Sequence, residues 1–425
     1  MDQENRSESL YRNRPDGSPL GGVNRGGNVR RTKGVCTIAI DTPLPRQDAY
    51  GAIAMPVYHT AAYEFKTAKD MADAFCGRVV APDYSRMMNP TVMHLEDTVR
   101  ALTDAANVFA FGTGMAAITN ALLAVVEAGK NIVTSNHLFG NTVGLMKNTL
   151  GRLGVETRMV NLLDLEAVEA AIDEGTACLF LEIVTNPQME VADLAALSDI
   201  AHRHGVPLIA DTTIIPFTEF SAKALGVDIE VVSSTKYISG GATSLGGLVI
   251  DYGHFLQVGV RIRSELIFNV GCYMTPHAAY MQSLGLETLE ARYRVQSANA
   301  LALARKLRGV PEIKRVNYIG LEDNPFYALA RRQFGETSGA MLTIDLADKR
   351  ACFHFIDHLR LIRRATNLFD NKSLAIHPYS TIFGPFSRSQ KEAMDVKDTT
   401  IRLSVGLEDV EDIFADIVQA VESLP

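Results

Sequence analysis

Three short stretches of this 425-residue chain carry residue types that can do chemistry together. The run Val231-Val-Ser-Ser-Thr-Lys-Tyr237 ends an apolar strand-like segment on a lysine, with hydroxyls just before it. A lysine amine in that setting suits a Schiff base to a carbonyl cofactor, with Ser233 and Thr235 as hydroxyl ligands to a phosphate. Taken alone, Lys236 would more often be a solvated lysine at a strand end. Upstream, the run Pro207-Leu-Ile-Ala is followed by Asp211. A carboxylate there can keep a pyridine nitrogen protonated, which turns the ring into an electron sink for a carbanion. Taken alone, it is an ordinary turn aspartate. The third stretch, Phe111-Gly-Thr-Gly-Met-Ala-Ala117, lies between a strand-like and a helical run. Its small residues let the backbone approach an anion, and a helix N-terminus supplies free N–H groups and a partial positive charge. The same stretch fits a dinucleotide fingerprint, but that needs an acid at the end of the next strand. Ser135-Asn-His137 offers none. Phosphate cradle, ring-nitrogen aspartate and Schiff-base lysine, in that chain order, form one consistent site for pyridoxal 5'-phosphate (PLP).

Such a site needs a frame in which strand ends converge. Short β-rich runs alternate with helical ones from about Ala81 to Thr275. The predicted strands are Asn107–Phe111, Asn131–Ser135, Glu156–Val160, Cys178–Ile183, Pro207–Ala210, Ile229–Ser233 and Gly246–Ile250. The predicted helices between them include Met115–Glu127, Thr142–Leu153, Leu165–Ile172 and Leu194–His204. This alternation implies an α/β fold, a mostly parallel seven-stranded sheet with helices on both faces. Ligands collect at the carboxyl ends of such strands, where Asp211 and Lys236 fall. Thr288–Leu307 reads as one long helix. Runs at Ala340–Asp345 and Ile401–Ser404, with helices at Ala351–Leu359 and Val410–Leu424, predict a smaller α/β C-terminal domain. The expected organisation is a flexible tail over 1–34, an irregular arm over 35–80 contacting a partner subunit, a large cofactor-binding domain over 81–275, and a C-terminal domain over 276–425.

Composition narrows the class. Apolar residues make up 47%, enough for a sizeable core. The net charge of -8 argues against a general nucleic-acid binder, which would carry a basic balance or stripe. Cys36, Cys76, Cys178, Cys272 and Cys352 are scattered without metal-ligand spacing, so no metal site is expected. They read as reduced thiols of a cytoplasmic protein rather than a disulfide framework. The N-terminal stretch is polar and no apolar leader follows it. No apolar run reaches membrane-spanning length, so no membrane partner is expected.

Three motifs carry a resemblance to a known family: Tyr84-Ser-Arg-Met-Met-Asn-Pro-Thr91, Ser234-Thr-Lys-Tyr237 and Arg402-Leu-Ser-Val-Gly406. From about Thr37 to its C-terminus the chain resembles the Cys/Met-metabolism PLP enzymes, of fold type I. Val316-Asn-Tyr-Ile-Gly-Leu-Glu-Asp-Asn-Pro325 and Asp370-Asn-Lys-Ser-Leu-Ala-Ile-His-Pro378 are most similar to the O-acetylhomoserine sulfhydrylases within it. The resemblance implies γ-replacement on an O-acylhomoserine, with a γ-lyase or a specialised γ-substitution enzyme as the alternative. It implies that Tyr84 and Arg86 bind the cofactor phosphate of a neighbouring subunit. Gly114, Met115, Ser233 and Thr235 would complete that phosphate site within the chain. Phe139 would stack on the ring, Asn186 would meet the ring oxygen and Asp211 the ring nitrogen. Arg402 would clamp the substrate α-carboxylate with help from the backbone near Asn367, a job its planar fork suits. A homotetramer of dimers with shared sites would follow. The chain departs from the family in three places. The ring-stacking position, usually Tyr, is Phe139, which can stack but not donate a proton. A histidine usual after the lysine loop is replaced by Gly241. The segment after Gly253-His-Phe255 is also short, where sulfhydrylases commonly carry an insertion over the site entrance.

Overall fold

The computed structural model of the protein describes residues 33–42 and 50–424. The expected tail over 1–34 therefore lies outside the described residues, apart from Lys33 and Gly34.

Seven strands form the larger sheet: β1 (Asn107–Phe111), β2 (Asn131–Ser135), β3 (Glu156–Val160), β4 (Thr176–Glu182), β5 (Leu208–Asp211), β6 (Ile229–Val232) and β7 (Gly247–Asp251). Their order is β1-β7-β6-β5-β4-β2-β3. All pairs from β6 across to β3 are parallel, and β7 runs antiparallel to both β1 and β6. The chain has the fold type I architecture expected from its sequence. A sheet covered on both faces needs strands that are apolar throughout. β4 does this by alternation: Leu179 and Leu181 enter one apolar layer, Cys178 and Phe180 the other. The helix Gly114–Leu123 covers the second face with Ala117, Ile118, Ala121 and Leu122. The helix Leu194–Arg203 covers the first with Leu194, Leu197, Ile200 and Ala201.

A second, smaller sheet follows: β8 (Arg315–Asn317), β9 (Met341–Asp345), β10 (Arg363–Arg364), β11 (Leu374–Ile376) and β12 (Thr400–Ser404), in the order β10-β11-β12-β9-β8. The helices Leu289–Leu307, Lys349–His358 and Val410–Glu422 accompany it. Here β8, β10 and β11 escaped sequence reading, because two or three residues are too few to show a period of two. The stretch after Gly34 also differs from its expected irregularity. It holds helices Val35–Asp41 and Ala68–Phe75, the second capped by the Thr67 side chain accepting from the Asp70 N–H. Neither buries a residue, so neither leaves an inward apolar stripe to find in the sequence.

No helix of the described residues is long and apolar enough to cross a membrane. Among those residues no group of three or more His, Cys, Asp or Glu side chains could hold a metal. The five cysteines are unpaired, with Cys178 and Cys352 buried.

The sheet grips the start of helix Gly114–Leu123 closely. A Cβ on Gly247 in β7 would come within 2.2 Å of the Thr113 carbonyl oxygen and 2.9 Å of Ala117 Cβ. Backbone cannot yield as a flexible side chain can. Gly247→Ala should therefore cost about 2 kcal/mol or more of stability, read as a lower urea midpoint with an unchanged slope. A midpoint equal to the parent's would mean this contact relaxes freely.

Candidate active site

The carboxyl ends of β4, β5 and β6 place Glu182, Asp211 and the Ser233–Lys236 turn side by side. β6 stops at Val232, and the chain then curls so that the Lys236 N–H donates to the Ser233 carbonyl at 3.1 Å. Lys236 Nζ donates to Asn367 Oδ1 at 2.8 Å. Burial disfavours its charged form, and the positive charge of Arg402 adds to that; Asp211 opposes both. The amine is left at about 8 instead of the usual lysine range.

Asp211 ends β5, and its carboxylate accepts from the Thr213 N–H at 3.0 Å. Burial raises its pKa, while the Thr213 bonds and the charge of Lys236 pull the other way. Thr213 also bonds the lysine turn, its hydroxyl accepting from the Ser233 N–H at 2.9 Å. It thus ties the aspartate to that turn. Nothing in the sequence pattern pointed to Thr213.

Gly114 opens its helix after Thr113, whose side chain accepts from the Ala116 N–H. A Cβ on Gly114 would lie 2.7 Å from both Cβ and Oγ of Ser233. The structure thus brings together three of the residues expected at the phosphate: a helix N-terminus with Gly114 and Met115 abuts the Ser233 hydroxyl. Thr235, assigned to the same phosphate, has its hydroxyl engaged elsewhere. It donates to the Gly246 carbonyl at 3.1 Å and accepts from the Gly246 N–H at 2.9 Å, closing the loop after the lysine. Tyr84 and Arg86 are not brought to the cradle within the chain. Arg86 donates to the carbonyls of Ile267 and Phe268, and Tyr84 is 45% exposed.

The second sheet contributes Arg402, from β12. Its residue is 2% exposed. Nη2 donates to the carbonyls of Thr366 and Asn367 at 3.1 and 3.2 Å, and Nη1 to Asn186 Oδ1 at 3.3 Å. Nε is buried without a partner. Among the described residues no carboxylate forms an ion pair with it. Burial without a counter-charge brings its pKa down to about 9. The Asn186 side chain, expected at the ring oxygen, accepts from the arginine, and Asn367 holds the lysine amine through its side chain as well as the arginine through its backbone. Phe139 follows β2, and its N–H donates to Glu182 Oε1 at 2.6 Å. Tyr237, next to the lysine, stacks on Phe369 with centroids 4.0 Å apart and an interplanar angle of 7°. Its hydroxyl accepts from the Ala340 N–H.

These donors fit PLP. The cradle admits no Cβ at Gly114, the amine and the Asp211 carboxylate lie at neighbouring strand ends of the larger sheet, and the guanidinium from β12 is joined to the amine through Asn367. Comparison with known proteins agrees. Residues 36–422 match the family described as Cys/Met metabolism PLP-dependent enzyme. The chain is 33% identical to the O-acetyl-L-homoserine sulfhydrylase of Corynebacterium glutamicum, over 85% of this chain and 91% of that one. It is 34% identical to the L-methionine gamma-lyase of Pseudomonas putida, over 92% and 98%. A Campylobacter jejuni chain described as an O-acetylhomoserine (thiol)-lyase, solved with an N'-pyridoxyl-lysine-5'-monophosphate residue, superposes with a TM-score of 0.89. It is 30% identical and covers 92% of this chain and all of its own. The fold and site define a fold type I PLP-dependent enzyme. The chain belongs to the Cys/Met metabolism family of these enzymes.

The depressed amine sets a testable window. Only the neutral amine is a nucleophile, and a pKa near 8 makes it available well below the usual lysine range. The rate at which the cofactor-free protein takes up PLP, followed by absorbance, should rise with pH and level off above about 8. A rate still climbing steeply at pH 10 would mean that Lys236 titrates as an ordinary lysine.

Proposed function

We propose that the chain catalyses γ-replacement on an O-acylhomoserine, with O-acetylhomoserine and sulfide giving homocysteine and acetate as the leading pair. The observation that carries this reading is the fully buried Arg402 guanidinium, left without a carboxylate and linked through Asn367 to the Lys236 amine. Burying a charge unpaired costs several kcal/mol, so the site favours a ligand that brings a carboxylate. An amino acid does, and a bidentate bond to its α-carboxylate would aim Cα toward Lys236.

The residues then divide the work. Gly114, Met115, Ser233 and Thr235 hold the cofactor phosphate, the last by way of the loop it closes. Phe139 covers one face of the ring, Asn186 lies near its oxygen, and Asp211 keeps a proton on its nitrogen. PLP, when bound, supplies a carbonyl for the substrate amine and a sink for the charge left at Cα. Lys236 Nζ would remove the Cα proton, give it up to the cofactor and, neutral again, take one from Cβ. Acetate departs from Cγ, sulfide adds there, and Lys236 returns the protons. Phe139 offers no hydroxyl, and none is needed for this leaving group. A carboxylate departs as a stable anion, whereas a thiolate or hydroxide wants a proton. That absence favours an acyl ester over a thioether. The likeness to the methionine γ-lyase sustains one second reading, elimination to 2-oxobutyrate and ammonia, which uses the same residues until the nucleophile adds.

The reading extends to assembly: a cytoplasmic homotetramer of dimers, with residues 35–80 as an arm on the partner, 81–275 as the cofactor-binding domain and 276–425 as the C-terminal domain. Tyr84 and Arg86 would reach the cofactor phosphate of the neighbouring subunit. Exposed apolar side chains support this arm. Tyr50, Ile53, Met71 and Phe75 are exposed and precede Tyr84 in the chain, and the exposed Phe268 lies beside Arg86. Patches of this kind mark surfaces that a partner covers.

Two measurements test the proposal. Purified protein given O-acetyl-L-homoserine and sulfide should release homocysteine and acetate, and Lys236→Ala should abolish this turnover. Formation of 2-oxobutyrate without sulfide would replace the leading reading with the lyase. Second, Arg86→Ala and Lys236→Ala chains, each inactive, should regain activity when co-assembled, because a hybrid dimer rebuilds one intact site. Failure of the mixture to recover, with both variants dimeric, would place Arg86 outside the neighbour's site.

A further inference from the structure

The most unusual buried group not used by this chemistry is Glu182. β4 is apolar from Ala177 to Leu181 and then ends on a carboxyl that is 7% exposed. Its Cα partner in the next strand is Asp211. Two carboxyls side by side away from water are costly, since each disfavours ionisation of the other. Such an arrangement persists only where the second carboxyl makes bonds the site needs. Glu182 makes them to the backbone. Its Oε1 accepts from the Phe139 N–H at 2.6 Å, and the backbone at Asn186 supplies another bond. The first fixes the residue placed over the ring, and the second fixes the residue whose side chain meets Arg402. Phe139 needs such a fastening. It follows β2 by way of Asn136, His137 and Leu138, and the helix it begins, Gly140–Gly144, has no side-chain cap.

We propose that Glu182 is a positioning residue of the cofactor site, whose carboxyl oxygen holds the Phe139 backbone so that the phenyl ring keeps its face to the cofactor. This rests on the reading of Phe139 as the ring-stacking residue. Glu182 acts as a hydrogen-bond acceptor, so its charge is dispensable. Consistent with that, burial, with the neighbouring Asp211 adding to it, pushes its pKa up to about 8, against the pull of the Phe139 and Asn186 bonds. Asp211 then remains the one member of the pair that serves the ring nitrogen as an anion.

The test compares Glu182→Gln, which keeps an acceptor oxygen, with Glu182→Met, which fills the same space without one. PLP affinity is read by equilibrium dialysis and ring asymmetry by visible circular dichroism of the bound cofactor. Leaving the half-buried Phe139 N–H without its acceptor should weaken PLP binding about tenfold and reduce the dichroic band. Glu182→Gln should restore both to near the parent's values. Parent-like affinity and dichroism in Glu182→Met would overturn the proposal. So would a folded Glu182→Gln that behaves like Glu182→Met, because charge and not acceptance would then be at work. If Glu182→Met fails to fold by far-ultraviolet circular dichroism, Glu182→Asp takes its place, since a side chain one methylene shorter withdraws the acceptor while keeping the charge. Phe139→Ala separates the two readings. If that variant keeps the parent's dichroic band, Phe139 does not stack, and the site assignment fails independently of Glu182.

Discussion

An amine buried between a carboxylate and a guanidinium is the constraint on which this structure turns. Lys236 cannot stay a conventional ammonium there: burial and Arg402 both work against its charge, and Asp211 only partly answers them. The balance leaves an amine that can give and take protons near neutrality, which is what a base acting at two adjacent carbons requires. Arg402 could have been neutralised by a carboxylate of the protein, which would have left burial alone to depress the lysine. Instead its fork meets only carbonyl oxygens and one carboxamide. Its charge remains available to a ligand, and its field remains available to the lysine.

Holding that arrangement takes two sheets, because the lysine turn hangs from the larger one and the arginine belongs to the smaller. The link is Tyr237. Its ring lies flat on Phe369, and its hydroxyl accepts from Ala340 at the start of β9. Phe369 in turn donates its N–H to Ser404 on β12, two residues from Arg402. Tyr293 adds an edge-on contact and bonds Gly339. The residue beside Lys236 is therefore packed against the sheet that carries Arg402. Aromatic stacking in a dry interior resists sliding, because displacement forfeits close-packed contacts with no solvent to replace them.

The sequence made the larger sheet legible because its buried strands need continuous apolar runs and most are followed by a helix, β6 being the exception that leads through the lysine loop into β7. The chemical residues stood out as polar breaks in those runs, as Asp211 does after Leu208-Ile-Ala and Lys236 after Val231-Val. Glu182 breaks its run in the same way and passed unnoticed, since its bonds go to backbone groups that no side-chain pattern encodes. The Thr213 bridge and the Thr235 loop closure were hidden for the same reason. The minor strands β8, β10 and β11 were too short to carry a period. The second role of Asn367 could not be read either, because it depends on where a lysine 131 positions away in the chain finds its partner.

Phe139, proposed to lie over the ring, bears on specificity in a way the sheet does not. Phe139 lacks a hydroxyl, so proton traffic on that face cannot pass through it. Among the groups placed at the site, Lys236 is the one left that can both accept and deliver a proton near neutral pH. In the proposed reading Asp211 serves the ring nitrogen, and Glu182 spends its oxygen on the Phe139 backbone. Arg402 stays positive, with a pKa of about 9. A single proton carrier suffices where the departing group leaves as a stable anion and the incoming one arrives already charged. It falls short where both must be protonated in turn. The economy of titratable groups around Lys236 therefore argues for an acyl ester and a thiolate-type nucleophile more directly than the likeness to any one relative does.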